Sequence, residues 1–132
     1  MQVRRIGDDA IVCPDLVLGE SFGQRFMGLM GRADIDADEG LYLPSSSIHM
    51  MFMRFPIDAL FVSKPDASGQ RTVVGMRESL PPWRGIVMPV RGAEGVVELE
   101  AGALARHSVS IDDTVVFETA AASVAEGAIS ED

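Results

Sequence analysis

Short apolar runs recur along this chain, and each is closed by residues that favour turns. The runs stand in DAIVCPDLVLGE, GLYL, HMMFM, DALFV, QRTVVGM, GVVELE and SIDDTVVFE, with Gly, Pro, Asp or Ser between them. Runs of this length, at spacings of roughly 8 to 12 residues, are typical of strands in an all-β domain. The sequence therefore predicts a mainly β fold, a small sandwich-like or barrel-like domain with one or two short helices.

Two segments depart from the strand pattern. In SFGQRFMGLMGR, Ser21 and Gln24 have the spacing of a capping box, and apolar residues recur on one helical face. We expect a short helix there that ends at Gly31. In RESLPPWRG, adjacent prolines lack amide hydrogens and fix the backbone, which predicts an irregular segment.

The run GVVELE, residues 95–100, alternates in polarity, so its two glutamates share one face of a strand. If that face is turned inward near Arg84 or Arg91, Glu98 is expected to form an ion pair with one of them. Otherwise Glu98 is a surface residue.

The length of 132 residues suits one domain with a core of its own. We expect residues 1–118 to form this β-rich domain. Residues 119–132, TAAASVAEGAISED, mix small residues with acids and lack large apolar side chains, which predicts an acidic tail.

The charge of the chain limits its partners. A formal net charge of −9 opposes binding to nucleic acid or to an anionic membrane surface. No apolar run approaches the roughly 18 residues of a membrane-spanning helix, and no leader-like apolar stretch follows the first arginines. A cytoplasmic location is therefore predicted, although a chain whose leader has been removed would read the same.

The residues that bind metals are scarce. One cysteine, Cys13, and two histidines cannot supply a zinc cage or an internal disulfide. Cys13 is predicted to be a small buried thiol. No metal or other cofactor is predicted.

Five blocks of sequence, taken in order, resemble a known family. They are RFMGLMGR (Arg25–Arg32), GLYL (Gly40–Leu43), HMMFMRFPIDALFV (His49–Val62), PWR (Pro82–Arg84) and VVELEAG (Val96–Gly102). Together they resemble the bacterial and archaeal family called domain of unknown function 192, over about residues 15–117. The resemblance implies a β-rich, sandwich-like domain and no established activity. The family usually carries Gly-Asp before the last strand, where this chain has Asp112 and Asp113, so this turn is expected to differ.

The stretch from His49 to Asp58 is open to a structural interpretation. Pro56 presets a turn, and Arg54 and Asp58 stand on either side of it, four positions apart. An ion pair between these two side chains would hold the turn in place. Breaking such a pair on one side only, if it is buried, costs about 3–5 kcal/mol.

The same stretch is also open to a functional interpretation, in which it forms a pocket with the tryptophan loop. The candidate ligand-binding residues are His49, Arg54, Asp58, Trp83 and Arg84. A few convergent polar groups around an apolar hollow are typical of small-molecule sites. We expect a binding or accessory domain for a small polar or anionic ligand, to which Arg25 and Arg32 would add cationic groups.

Two alternatives remain open at this stretch. His49 could act as general acid or base in a hydrolase, oriented by Asp58 or Glu98. If HMMFM is a strand, His49, Met51 and Met53 share a face and offer the imidazole and thioethers that suit Cu(I). No activated nucleophile stands out, so a binding domain is favoured over an enzyme.

Overall fold

The computed structural model describes residues 1–19 and 32–119. The helix predicted over residues 21–31 lies outside the described residues, and so does the predicted tail apart from its first residue. No helix in the described part of the chain is long and apolar enough to cross a membrane.

The described residues form ten strands and one short helix. They are β1 (Gln2–Arg5), β2 (Ile11–Cys13), β3 (Asp15–Leu18), β4 (Glu39–Leu43), β5 (Ile48–His49), β6 (Ile57–Val62), β7 (Gln70–Leu80), β8 (Ile86–Val87), β9 (Gly95–Glu100), α1 (Ala103–Arg106) and β10 (Thr114–Glu118). The prediction of a mainly β protein is confirmed.

Eight of these strands form one mixed sheet in the order β2-β1-β10-β7-β6-β9-β4-β3. Only β3 and β4 run parallel among the paired strands described. The sheet curls, because the N–H of Leu16 in β3 donates to the C=O of Met1, which precedes β1, at 2.6 Å. No ladder joins β2 to β3 within the described residues, so the sheet is curled without being a closed barrel.

The central strand β6 is buried on both faces. Ile57, Ala59 and Phe61 point into one apolar cluster, and Leu60 and Val62 point into a second. A strand covered on both sides needs a nearly continuous apolar run, which IDALFV supplies. The two clusters make this a layered domain with the main sheet between two cores.

A small sheet of β5 and β8 covers the first of these clusters. Ile48 and Val87 pair across it and are buried, and His49 pairs with Ile86 on its outer side. The prediction that HMMFM is a strand is wrong, because the strand ends at His49 and the chain turns at Phe52, where φ is 69°. β7 continues to Leu80, which shortens the irregular segment predicted after it.

In the turn before β10, Asp112 stands where the resembled family usually has glycine, and the expected difference of this turn stays a prediction. Asp112 has φ of 76°, the left-handed conformation that glycine adopts without strain. The N–H of Asp112 donates to the C=O of Val73 at 2.9 Å, which fixes the turn against the sheet.

One glycine in the sheet is required by a close approach. The ring of Tyr42 lies so near Gly95 that a Cβ at that position would overlap the phenol. Gly95→Ala is therefore expected to destabilise the protein by about 1–3 kcal/mol, as overpacking does. Urea unfolding measures this change.

The sign of the change in stability distinguishes a close approach at Gly95 from free space. Where a strand glycine has free space around it, substitution by alanine would instead stabilise the protein by about 0.4–1 kcal/mol. In a Tyr42→Leu background the cost of Gly95→Ala should largely disappear. A stabilising effect of Gly95→Ala in the native background would contradict the close approach.

Candidate functional site

Two turns that are distant in sequence meet beside the small sheet. The N–H of Trp83 donates to the C=O of Met50 at 2.8 Å, and the N–H of Met50 donates to the C=O of Gly85 at 2.9 Å. Gly85 permits the approach, because a Cβ there would lie 2.8 Å from Cγ of Met50. The segments that carry His49 and Trp83 therefore fold together, as the site hypothesis requires.

Each turn presents an aromatic ring to solvent from an unusual backbone conformation. Phe52 and Trp83 both have φ of 69°, and they are 54% and 55% exposed. Their rings pack edge to face with centroids 5.0 Å apart. A bulky residue in the left-handed region costs about 1–3 kcal/mol, and such residues concentrate at functional sites. The strained turns hold two rings outside the core.

Three other exposed apolar side chains lie on the same two segments as these rings. We call the five together the turn surface: Met51, Phe52, Trp83, Ile86 and Met88, each at least half exposed. A soluble domain rarely groups exposed apolar side chains in this way unless they contact something. Of these residues, sequence analysis identified Trp83 for ligand binding and Met51 for copper, although the consecutive bulky residues of HMMFM indicated that a short strand could not bury them all.

Several arginines lie near the turn surface, either in sequence or around a hollow beside it. Within the described residues, four arginine side chains form no ion pair, namely Arg54, Arg77, Arg84 and Arg91, and those that do are Arg4, Arg5, Arg32, Arg71 and Arg106. Arg77 and Arg91 line an open hollow of about 680 Å³ together with Ile86 and Met88. The hollow therefore brings the guanidinium groups of Arg77 and Arg91 near Ile86 and Met88 of the turn surface.

Asp58 lies away from this surface, and its predicted ion pair with Arg54 is wrong. Its fully buried carboxylate accepts N–H donors from Ser79 at 2.8 Å, from Gly102 at 3.1 Å and from Leu104 at 2.9 Å. It thus joins β6 to β7 and caps the first turn of α1, which has no side-chain cap of its own. These hydrogen bonds give Asp58 a structural role.

Glu98 is also buried, and the ion pair expected for an inward Glu98 is absent. It is 1% exposed, and its Oε1 has no hydrogen-bond partner within the described residues. Its neighbours across the sheet are Leu41 and Ala59, both apolar. Burial raises the pKa of Glu98 to about 8, so the side chain is mostly protonated at neutral pH.

His49 lies exposed at the edge of the small sheet, but neither proposed carboxylate orients it. Asp58 is bonded to backbone amides, and Glu98 accepts no hydrogen bond at Oε1. Ser45 bonds within its own loop, where its Oγ donates to the C=O of Ser47 at 2.9 Å. The two carboxylates that the hydrolase interpretation proposed are therefore engaged or buried elsewhere.

The proposed Cu(I) ligands do not converge. Met51 is 50% exposed and Met53 is 1% exposed, because the turn at Phe52 sends them in different directions. The predicted shared face is wrong. In the described part of the chain no three His, Cys, Asp or Glu side chains gather as a metal site would need.

Two other predictions concern single residues. Arg32 pairs with Glu39 at 2.6 Å, so a carboxylate already holds one nitrogen of its guanidinium group, and Arg25 lies outside the described residues. Cys13 is buried as predicted, and burial raises the pKa of its thiol to about 11. A thiol that stays protonated is a poor nucleophile.

One family model matches most of this chain. The family model described as Uncharacterized ACR, DUF192, matches residues 5–117. No curated protein matches the chain.

Two solved structures share the fold. One is described as a putative transcription regulator from Sinorhizobium meliloti 1021, with a TM-score of 0.69 and 24% identity over 86% of this chain and 90% of that one. The other is a protein of unknown function from Novosphingobium aromaticivorans DSM 12444, with a TM-score of 0.69 and 20% identity over 89% of this chain and 84% of that one. At these identities the likeness concerns the fold alone.

Proposed function

The chain belongs to the DUF192 family, and we propose that it is a binding module whose turn surface recognises an acidic protein segment bearing apolar side chains. The family is uncharacterised, so membership supplies the fold and no activity. The proposal rests on one observation above all: Phe52 and Trp83 are held in solvent by strained turns.

The composition of the turn surface supports a protein partner. Aromatic residues, methionine and arginine are enriched where proteins bind one another, and tryptophan and arginine carry much of the binding energy. The strain at Phe52 and Trp83 costs stability that the fold would recover by placing glycine at either position. A binding role accounts for retaining the aromatic side chains there.

The charge of the surroundings supports an acidic partner. Arginine binds carboxylates through paired hydrogen bonds, and the guanidinium groups of Arg54, Arg77, Arg84 and Arg91 have no carboxylate within the described residues. Transcription regulation, the description of the Sinorhizobium protein, suits this chain only through a protein partner, because a net charge of −9 opposes contact with DNA phosphates.

Peptide selection tests the proposal. A displayed library of random peptides, selected on the whole protein, is expected to yield sequences that combine Asp or Glu with aromatic or aliphatic residues. Synthetic peptides from the selection should bind at least about tenfold more weakly when Phe52→Gly or Arg84→Gln is introduced. Fluorescence of Trp83, the single tryptophan, reports binding.

Two comparisons separate recognition from folding. The free energy of unfolding of Phe52→Gly should lie within about 1 kcal/mol of that of the native protein, because relief of backbone strain offsets the lost ring contact. Arg106→Gln, an exposed arginine on α1, is the control and should leave binding unchanged. If all three variants bind alike, or the selected peptides carry no acidic bias, the turn surface is not the recognition surface.

The small polar or anionic ligand predicted at His49, Arg54, Asp58, Trp83 and Arg84 stays a prediction. The cytoplasmic location stays one as well.

A further inference from the structure

A second hollow lies at a different part of the sheet, where β4, β7 and β10 pass near the end of β3. It measures about 490 Å³, which is within the range of small-molecule sites. Its lining combines apolar side chains, Leu18, Pro44 and Phe117 among them, with the polar groups of Tyr42 and Arg71. None of these residues was identified from the sequence, because they come from four distant segments.

Arg71 is fixed in place by its surroundings. Its guanidinium carbon lies 4.5 Å from the ring centre of Phe117 and 5.2 Å from that of Tyr42. Nη1 donates to the C=O of Ser63 at 3.1 Å and to Oε1 of Glu94 at 3.0 Å. The Arg71 side chain is only 13% exposed. These contacts orient the guanidinium group of Arg71 without any ligand.

The hydrogen bonds of Arg71 all use one nitrogen. Within the described residues Nη1 makes every one of them, the third being a long contact of 3.4 Å with the hydroxyl of Tyr42. The N–H groups of Nε and Nη2 therefore form no hydrogen bond within the described residues. These two groups lie on one edge of the guanidinium, and such an edge can bind a carboxylate through two parallel hydrogen bonds. Glu94 balances part of the charge without lining the hollow.

Tyr42 offers a second polar group. Its ring packs edge to face on Phe117 with centroids 5.2 Å apart, and Gly95 gives it room against the sheet. Burial raises the pKa of Tyr42, so its hydroxyl stays protonated and can donate. Leu18, which is 38% exposed, provides an apolar wall at the edge of the hollow.

We infer that this hollow, the Arg71 pocket, binds a small organic carboxylate with an apolar chain or ring. The carboxylate accepts hydrogen bonds from Nε and Nη2 of Arg71, and the apolar part packs between Leu18, Pro44 and Phe117. This site is separate from the turn surface and does not depend on the function proposed for it.

Matched carboxylates and amides test the inference. Calorimetric titration of the whole protein with benzoate, phenylacetate and octanoate is expected to give saturable binding. Acetate, which lacks the apolar part, and benzamide, which lacks the charge, should bind at least about tenfold more weakly. Nuclear Overhauser effects from the ligand to the methyl groups of Leu18 should locate it.

Variants decide whether the pocket is responsible. Arg71→Lys keeps the charge but loses the two-pronged edge, and should weaken benzoate binding at least about tenfold. Arg4→Lys, an ion-paired arginine outside the pocket, should not. Leu18→Trp fills the hollow from its exposed edge, so it should remove binding without unfolding the protein, which keeps the test decisive if Arg71→Lys fails to fold.

Equal affinity for benzoate and benzamide would overturn the inference. So would an affinity that survives both Arg71→Lys and Leu18→Trp. Because Phe52→Gly should leave carboxylate binding intact, failure here is distinguishable from failure of the peptide-binding proposal.

Discussion

Replacing Glu98 by glutamine is expected to stabilise the protein, relative to the native one, by about 4 kcal/mol more at pH 9 than at pH 5. The cause is the burial that raises the pKa of Glu98 from 4.5 to about 8. Glutamine cannot ionise, so the pH-dependent part of the cost disappears with the carboxyl group.

The direction follows from the protons that each state binds. Below pH 4.5 the carboxyl is protonated in both states and contributes no pH dependence. Between pH 4.5 and about 8 the unfolded chain has released a proton that the folded protein still holds, so stability falls as pH rises. Above that range both states are ionised and the loss is complete.

Urea unfolding at a series of pH values measures this effect. Glu100→Gln is the matched control, because Glu100 lies two positions along the same strand and is partly exposed beside Arg106. The control should keep the pH dependence of the native protein. Parallel stability curves for the native protein and Glu98→Gln would mean that Glu98 is solvated or paired in solution.

Asp58→Ala is expected to destabilise the protein by about 3–5 kcal/mol. The substitution leaves three backbone N–H groups without their acceptor, that of Leu104 in a buried position and those of Ser79 and Gly102 in partly buried ones. Each unsatisfied buried donor costs about 1–3 kcal/mol, and the costs overlap because the three share one carboxylate. Hydrogen exchange at Leu104 should accelerate most, because that amide is buried.

Asp66→Ala provides the comparison. Asp66 also accepts backbone N–H donors, from Ser68 and Gln70 at 2.9 Å each, but it lies in an exposed loop where water can replace it. Its loss should cost about 1 kcal/mol or less. If Asp58→Ala costs no more than Asp66→Ala, burial is not what makes Asp58 important.

The strands with regular patterns could be predicted from the sequence, and the shortest could not. GVVELE and DALFV have the alternation or the apolar density of buried strands, and both are strands. β8 has two residues, too few to show a period, and QVRR in β1 is mostly polar. β7 extends through RESL because Leu80 pairs with Ile57, a contact that no local pattern reveals.

The candidate site was predicted only in part, because its contacts also depend on residues that are distant in sequence. The meeting of the His49 and Trp83 segments was anticipated from their residue types. The local spacing of Arg54 and Asp58 suggested an ion pair, but the true partners of Asp58 lie 21, 44 and 46 positions away. The left-handed turn at Phe52 is stabilised by hydrogen bonds between Met50 and the distant turn of Trp83 and Gly85, so the strand predicted there from composition was wrong.

The position of β1 has a consequence for biosynthesis. The strand lies between β2 and β10, and its register runs from Gln2 opposite Glu118 to Arg5 opposite Val115. While the ribosome is still translating the middle of the chain, β1 and β7 each present an edge that only β10 can cover. The sheet can be completed only once residues 114–118 have emerged, so these two strand edges stay open to incorrect pairing until then.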